Sequence, residues 1–166
     1  MTSSPGGNNM DTSFFRLNGT LSGGVYFAGW TTAIPIGNRT GVHHPSGDWK
    51  KISFGTVGAS RGDCWWTGET SFECQESASG NFILTGWNDG GTEGGSSGSG
   101  IFENNDQLAG DLTGGGGGDC ADSFSFYSLF KAAYQTGNLG RWLNAEPEPV
   151  LTPIYQLLLN NEPSEP

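Results

Sequence analysis

The sequence predicts an all-β protein, built as a barrel or a sandwich of short strands. Of its 166 residues, 29 are glycine, which destabilises helices and is common in tight turns. The apolar runs are short, and glycine-rich turns separate them at fairly regular spacing, as in antiparallel β proteins. Hydrophobic residues make up 34% of the chain and aromatic residues 12%, which is enough to form a packed core.

Predicted strands occupy most of the chain, and helix is expected only near its C-terminal end. The strands are predicted, in chain order, at residues 13–17, 24–30, 41–45, 50–55, 64–68, 70–74, 81–87, 100–103, 108–114 and 123–130. Turn-forming residues, mainly glycine, lie between them. Residues 131–144 are compatible with helix, and a proline-rich break at 145–149 precedes a second short helix predicted at 150–161.

The charge of the chain excludes two classes of partner. The formal net charge is −10 and the sequence pI is about 4.3, so the chain is poorly suited to the phosphates of nucleic acid or of anionic membranes. No apolar run reaches the 18 residues or so that a membrane helix needs. The first ten residues, MTSSPGGNNM, also lack the basic and apolar regions of a signal peptide. We therefore expect no nucleic-acid partner and no membrane partner.

The three cysteines indicate one disulfide rather than a metal site. Cys64 and Cys74 bracket WWTGETSFE, a spacing that suits a bond across a hairpin. No Cys-x-x-Cys pair is present, so no metal site is predicted. Cys120 is left over, either as a free thiol or as the partner of a cysteine outside the sequence. The glycine run at 114–118 lacks the Lys-Ser/Thr of a phosphate loop, so we interpret it as a flexible loop and expect no cofactor.

The stretch TEGGSSGSGIF at residues 92–102 supports two interpretations. A segment rich in glycine and serine can be an unstructured linker. It can equally be the turn that presents a serine nucleophile, because such a turn needs a permissive backbone, N–H groups that converge on one point and an apolar strand that anchors it. Composition alone leaves both interpretations open.

Motifs on both sides of this stretch resemble those of bacterial lysyl endopeptidases, which belong to the trypsin/chymotrypsin-like serine proteases. In chain order they are MDTSFFRLNG, VYFAGW, GVHHPSGDWKKISFG, TEGGSSGSG, QLAGDLTGG, and FYSLF followed by LGRWL. The resemblance extends from about residue 10 to residue 143. It implies a trypsin-like serine protease fold and favours a nucleophile turn over a linker.

The resemblance also implies a domain organisation and a function. Residues 1–22 would contain the last strand of the first β-barrel and the inter-barrel connection, residues 23–145 the second barrel with a closing helix, and residues 146–166 a proline-rich extension. The implied activity is that of a secreted or periplasmic serine endopeptidase acting on protein or peptide substrates, with its signal peptide outside this chain. The alternative is a non-catalytic β-rich binding module derived from a protease fold.

Several positions match the catalytic residues of the family. Ser97 matches the nucleophile, and Asp11 matches the aspartate that orients the catalytic histidine. The N–H groups of Gly95 and Ser97 would form the oxyanion hole. Ser96 stands where trypsin has an aspartate that pairs with its new N-terminus, so we expect no activation of the trypsin kind.

A second group matches residues that bind substrate in the family. The strand that pairs with the substrate backbone by β-augmentation would contain Leu112, Thr113 and Gly114. The acidic residue that selects lysine in the family corresponds to Asp122, with Asp119 a weaker candidate, whereas an equally direct match falls on Phe124. A preference for lysine is therefore not predicted.

The catalytic histidine of the family has no counterpart in this chain. It precedes the triad aspartate by roughly 45 residues or more, whereas only ten residues precede Asp11 and none of them is histidine. The two histidines, His43 and His44, follow Asp11. We expect them to be structural residues of a strand that ends before a proline-fixed turn, with their side chains on opposite faces. A cryptic base and a metal ligand are the alternatives.

Cys120 gives a second indication of the same kind. In the resembled family, the cysteine at this position bonds to a cysteine near the mature N-terminus, and this chain has no such residue. We therefore expect the chain to be a C-terminal portion of a protease. Its partner would be the missing N-terminal half, and the chain by itself would be inactive.

Overall fold

A computed structural model describes residues 12–69, 71–116 and 123–144 of the chain. The described residues form eight strands, two α-helices and one 3-10 turn. The strands are β1 (Gly29–Trp30), β2 (Gly37–His43), β3 (Lys51–Trp66), β4 (Phe72–Glu76), β5 (Phe82–Asp89), β6 (Gly100–Phe102), β7 (Gln107–Gly116) and β8 (Phe124–Leu129). The helices are α1 (Phe130–Thr136) and α2 (Gly140–Leu143), and the 3-10 turn Pro45–Gly47 lies between β2 and β3.

Six of these strands close into an antiparallel barrel. The strand order is β7–β6–β2–β3–β5–β8, and β8 pairs with β7 to complete the ring. Outside the ring, β1 pairs with β7 in parallel and β4 forms a hairpin with β3. The predicted all-β class and the helix after the last strand are both confirmed. In the part of the chain that the structure describes, no helix is long and apolar enough to cross a membrane.

Alternating side chains of the strands fill the barrel. In β5, Ile83 and Trp87 are buried, whereas Leu84 is exposed, which is the period-two pattern of a strand with one face in a core. Tyr127 of β8 and Ile101 of β6 are fully buried in the same cluster. Burial of each such side chain contributes about 1.5–3 kcal/mol. A register slip would expose this whole set, so the core fixes the pairing of the strands.

The helix α1 packs on the barrel through its apolar face. Phe130, Ala132 and Ala133 are buried, and the helix contacts β7 and β8. Trp30 of β1 lies against the same helix, with ring centroids 5.6 Å from Phe130 and 5.1 Å from Tyr134. The last strand, the helix and β1 therefore form one packed unit.

Strand boundaries differ from the sequence predictions in several places. Residues 50–55 and 64–68, predicted as separate strands, both contribute to β3, whose register with β5 shifts between Val57 and Arg61. The polar residues between them lack an apolar pattern, but pairing with β4 and β5 extends the strand because tertiary context overrides weak local preference. Similarly, β2 begins earlier than predicted, at Gly37.

Two predicted strands near the start of the chain are largely absent from the described residues. Of residues 24–30 only Gly29–Trp30 is a strand, and of residues 13–17 only Ser13 makes an isolated bridge. The side chains of Phe15 and Phe27 are exposed, so they bury little of the apolar surface that would hold a strand in place. The helix predicted at 150–161 lies outside the described residues.

Candidate active site around Ser97

The loop of residues 90–99, here called the serine loop, connects β5 to β6 as a succession of tight turns. The Ser96 N–H donates to the Glu93 carbonyl at 3.0 Å, and the Ser99 N–H donates to the Ser96 carbonyl at 3.1 Å. Gly95 and Gly98 adopt φ values of +92° and +78°, in the region that favours glycine. The glycines of this stretch therefore serve a defined turn and not a linker.

Both halves of the serine loop are tied to the barrel. The Gly98 N–H donates to the Leu112 carbonyl at 2.7 Å, and the Leu112 N–H donates to the Ser99 carbonyl at 2.9 Å. On the other side, the Ser46 N–H donates to the Gly94 carbonyl at 2.7 Å, and the Ser46 hydroxyl donates to the Glu93 carboxylate at 2.7 Å. These bonds fix the loop between β7 and the turn that follows β2.

Of the three serines at the centre of the loop, only Ser97 presents its hydroxyl to solvent. Ser97 is exposed and lines a cleft, Ser96 is 1% exposed, and the Ser99 hydroxyl is buried. The N–H groups of Gly95 and Ser97 have no acceptor among the described residues, whereas those of Ser96, Gly98 and Ser99 are all bonded within the protein. An exposed hydroxyl beside unused N–H groups is what a nucleophile with an oxyanion hole requires.

A cleft of about 1240 Å³ extends away from Ser97. Its walls include residues 90–94 of the serine loop, residues 112–116 of β7, and residues between 45 and 53 from the turn after β2 and the start of β3. The β3–β4 hairpin contributes Trp66, Glu69 and Phe72. The volume of the cleft exceeds the roughly 300–1,000 Å³ of common small-molecule pockets. The size and the long β-strand wall suit an extended chain better than a compact ligand.

The wall formed by β7 carries an unpaired edge. β6 pairs with β7 only as far as Gly100 opposite Asp111, whereas β8 pairs with the opposite edge as far as Gly116. In the described ranges no strand pairs with β7 after Asp111 on the β6 side. Such an edge can accept an extended peptide as an additional strand.

The three sequence-predicted substrate residues differ in what they offer at this edge. Both backbone polar groups of Leu112 are already bonded to the serine loop. Thr113 is 5% exposed and its hydroxyl is buried, so that hydroxyl is not available to a ligand. Gly114 lies against Phe72, because a Cβ at Gly114 would stand 2.5 Å from that ring. Peptide pairing beside Ser97 would thus begin at Thr113 and use main-chain groups.

The charged residues that line the described part of the cleft are mostly acidic. They are Asp48, Glu69, Glu93 and Lys51. Lys51 Nζ lies 2.9 Å from Asp48 Oδ2, and this hydrogen bond holds the pKa of Asp48 below its usual value. Because Lys51 is paired with Asp48, the carboxylates of Glu69 and Glu93 make the electrostatic potential in the cleft negative. A negative potential attracts cationic groups.

The two histidines lie on opposite faces, as predicted from their adjacent positions. His44 is exposed, and its Nδ1 is 3.2 Å from the Asp48 carbonyl oxygen. His43 is 2% exposed, and its ring lies between the hydroxyls of Ser96 and Ser53, 2.9 Å from each. Neither histidine bonds Ser97 among the described residues, and the described chain holds no group of three or more His, Cys, Asp or Glu that could bind a metal.

Burial and charge set the protonation state of His43. Burial lowers its pKa, the nearby Glu93 carboxylate opposes that effect, and His44 adds to it. The ring is therefore neutral near pH 7. The contacts of this ring could not be predicted from the sequence, because Ser53 and Ser96 do not form a recognisable motif with His43.

Several predicted residues lie outside the described part of the chain. They are Asp11, Asp119, Cys120 and Asp122. The residue after Asp11 is described, and Thr12 Oγ1 donates to Asp111 Oδ1 at 2.8 Å and lies 3.2 Å from Ser128 Oγ. The chain next to Asp11 is thereby tied to β7, the strand that also holds the serine loop.

The predicted disulfide joins Cys64 of β3 to Cys74 of β4. It lies within the hairpin whose turn lines the cleft. A row of rings follows it, with centroids 5.6 Å apart for Trp66 and Phe72 and 5.5 Å apart for Phe72 and Phe126. The hairpin is therefore fixed by a covalent bond and by aromatic contacts with β8.

Comparison with known proteins places the chain in a family. Residues 2–128 match the family model described as the lysyl endopeptidase C-terminal domain. The lysyl endopeptidase of Pseudomonas aeruginosa is 35% identical over 134 residues, which cover 75% of this chain and 26% of that protein.

Solved structures of proteases are also similar. The chymotrypsin of Cellulomonas bogoriensis is 25% identical, with a TM-score of 0.46, over 70% of this chain and 56% of that one. A protease from M. tuberculosis in its active form is 14% identical, with a TM-score of 0.49, over 71% and 48%. The chain spans about a quarter of the curated relative and about half of each of these solved chains. On the family match and the sequence identity, the chain belongs to the lysyl endopeptidase C-terminal domain family.

Proposed function

We propose that this chain is the nucleophile-bearing part of a serine endopeptidase, with Ser97 as the nucleophile. The observation that carries the proposal is the serine loop itself. Ser97 exposes its hydroxyl to the cleft, and beside it the N–H groups of Gly95 and Ser97 lack acceptors among the described residues. Membership of the lysyl endopeptidase family supports the same reaction class.

The proposed reaction has the two steps of acyl transfer. Ser97 Oγ attacks a peptide carbonyl while a general base takes its proton, and the oxyanion of the tetrahedral intermediate accepts hydrogen bonds from the N–H groups of Gly95 and Ser97. Collapse of that intermediate breaks the C–N bond, and the amine leaves with the proton that the base returns. Water then attacks the acyl-enzyme by the same route and restores Ser97.

The general base of this mechanism would come from outside the 166 residues. His43 and His44 are the only histidines of the chain, and the bonds of both are made to groups other than Ser97. Asp11 would orient the incoming histidine. The 26% coverage of the curated relative leaves ample sequence for a first barrel that carries it.

Exposed apolar side chains support a first barrel as the partner. Phe15, Leu17, Tyr26 and Phe27 are 69%, 72%, 96% and 80% exposed. Phe15 and Leu17 lie in residues 1–22, which the family resemblance assigns to the end of the first barrel and the inter-barrel connection, and Tyr26 and Phe27 lie at the start of residues 23–145, which it assigns to the second barrel. Large apolar side chains exposed in this number are typical of a surface that packs against another part of a protein. We propose that the N-terminal half of the protease covers it.

Substrate would bind as an added strand along residues 113–116 of β7. The free edge there lies next to Ser97 in the cleft. The acidic lining favours peptides with basic side chains. Asp122 remains the candidate for contact with the side chain before the cleaved bond, and Phe124 is the alternative match.

Hydrolysis of internally quenched peptides tests this proposal. The protein extended by its natural upstream coding sequence is assayed with peptides that carry Lys, Arg, Phe or Ala before the cleaved bond. S97A is expected to lose on the order of 10^4–10^6 in kcat/KM. The matched control S99A, whose hydroxyl is buried, is expected to stay within about threefold, because the loop uses only the backbone of Ser99.

The second candidate function is a peptide-binding module without catalysis. The observations that favour it are the free β7 edge and the aromatic row beside the cleft, neither of which needs a base. It predicts that the extended protein and S97A bind the same peptides with equal Kd and that neither cleaves them. That result, obtained with a protein that contains an upstream histidine, would remove the protease proposal.

A further inference from the structure

His43 is a buried titratable side chain that the proposed reaction does not use. It ends β2, beneath the serine loop, with 2% of its surface exposed. Its Nδ1 lies 2.9 Å from Ser96 Oγ and its Nε2 lies 2.9 Å from Ser53 Oγ. A buried polar ring with both nitrogens bonded constrains the groups that it joins.

These two bonds connect separate points of the serine loop. Ser53 Oγ accepts the N–H of Gly91 at 3.1 Å and donates to the carbonyl of the same residue at 3.2 Å. Ser96 Oγ accepts the N–H of Glu93 at 3.4 Å. Through the two hydroxyls, the ring of His43 therefore bridges the start of the loop to the residue directly before Ser97.

The hydrogen-bond roles follow from the partners. Because the Ser53 hydroxyl donates to the Gly91 carbonyl, it accepts from His43, and we assign the ring proton to Nε2. Nδ1 is then the acceptor for the Ser96 hydroxyl. The Ser96 side chain is thus held in place by an unprotonated ring nitrogen.

We propose that His43 is a positioning residue, which acts through Ser96 and Ser53 to hold the serine loop in the conformation that aims Ser97 and the adjacent N–H groups into the cleft. The backbone bonds of Gly94 to Ser46 and of Gly98 to Leu112 fix the loop on either side of this point. Between them, the Ser96 side chain is the contact that reaches the barrel interior. The catalytic consequence rests on the proposed function, whereas the positioning itself does not.

Protonation of His43 is expected to reverse its bond to Ser96. With a proton on Nδ1, the ring nitrogen donates to Ser96 Oγ, so the Ser96 hydroxyl must rotate and its own proton needs another acceptor. The groups that act on the ring are Glu93, whose carboxylate favours protonation, and His44, which opposes it together with the larger effect of burial. Burial, with a smaller contribution from His44, thereby lowers the pKa of His43 in the folded chain from the usual 6.5, so the ring is neutral at pH 7 and its bond to Ser96 reverses only as the pH falls below the ordinary histidine range.

Two near-isosteric variants separate the two bonds. In H43N, the amide oxygen can occupy the place of Nδ1 and keep the bond to Ser96. In H43Q, the amide nitrogen can occupy the place of Nε2 and keep only the bond to Ser53. The control is H44A, which removes the exposed neighbouring histidine and leaves both bonds intact.

Amide hydrogen exchange of the 166-residue chain at pH 7.5, followed by NMR, tests the proposal without reference to activity. In H43Q, the exchange rates of the Ser96 and Ser99 amides should rise about five- to tenfold. That factor corresponds to the net free energy that one hydrogen bond contributes to stability. In H43N and H44A, these amides should stay within about twofold of the parent chain. Amides of the β3–β4 hairpin should not change in any variant.

A pH titration supplies the second readout. Amide shifts of residues 95–98 should move with a single transition below pH 6.5 in the parent chain and in H44A, and this transition should be absent from H43N and H43Q. Equal exchange of the loop in H43Q and the parent, or an equal rise in loop and hairpin, would overturn the proposal. If neither variant folds, S96A is used in their place and should show the faster amide exchange in the serine loop. Exchange rates in S96A equal to those of the parent chain would also overturn the proposal.

Discussion

At the scale of single residues, the serine loop depends on backbone conformations and on one buried ring. Gly95 has a φ of +92°, and a Cβ there would stand 3.4 Å from the His44 carbonyl oxygen and the Ser46 nitrogen. The left-handed conformation costs other residues roughly 1–2 kcal/mol. Gly94, the neighbouring glycine, does not have a positive φ, and a Cβ at that position would meet no atom within 4 Å.

The substitution G95A is therefore expected to lower both stability and activity, whereas G94A is expected to change neither. G95A should lower the free energy of unfolding by about 1–2 kcal/mol. Because it also turns an N–H of the proposed oxyanion hole, it should lower kcat/KM of the extended protein about 10²–10³-fold. Urea denaturation and peptide hydrolysis measure the two effects. Equal behaviour of G95A and G94A would show that the left-handed turn is not needed.

Residue patterns predicted part of this site and missed the rest. The local pattern of glycines, serines and an apolar strand permitted a serine turn, and the resemblance of the motifs on both sides favoured it over a linker. The contact of His43 with Ser96 joins positions 53 residues apart, and it exists only because β2 and β6 pair in the barrel. No local pattern encodes a contact of that kind, and the same holds for the bond between Thr12 and Asp111.

At the scale of elements, the β3–β4 hairpin forms the wall of the cleft opposite β7. Cys64 and Cys74 stand directly opposite each other in its ladder. Trp66, Glu69 and Phe72, at its turn, line the cleft. The hairpin lies outside the barrel, so its position depends on the disulfide and on the aromatic contacts with β8.

Removal of the disulfide is expected to destabilise the protein by a modest amount. The bonded cysteines are 10 residues apart, and closing a loop of that length in the unfolded chain corresponds to about 2–3 kcal/mol. The double variant C64A/C74A should lose this much in urea denaturation, and reductant should then have no further effect on it. A loss well below 1 kcal/mol would mean that the aromatic contacts alone hold the hairpin.

The local sequence pattern predicted strands well where one face of the strand is buried. Residues 81–87 form an apolar run and residues 123–130 alternate, and the two segments correspond to β5 and β8. The long β3 was predicted in two pieces because its middle is polar and contains glycine, and only pairing with neighbouring strands extends it. Residues 13–17 and 24–28 carry strand-like sequence, but their aromatic side chains Phe15 and Phe27 are exposed.

At the scale of the whole molecule, the described residues form a closed barrel that carries the serine loop. The family and the all-β class follow from motifs spread along most of the sequence, and the structure and the family match agree with both. The division into barrel, connection and extension remains a prediction. So does the separation of the catalytic groups, in which Ser97 lies on this chain and its base lies on another part of the protease.

The measurement that tests this separation most directly is the site of modification by a fluorophosphonate, located by mass spectrometry of the digested protein. The account predicts labelling at Ser97 in the protein extended upstream, no labelling in S97A, and a rate at least about 10^4-fold lower for the 166-residue chain alone. An extended protein that contains the upstream histidine but is not labelled at Ser97 would contradict the account. Equal labelling rates for the chain alone and the extended protein would contradict it too.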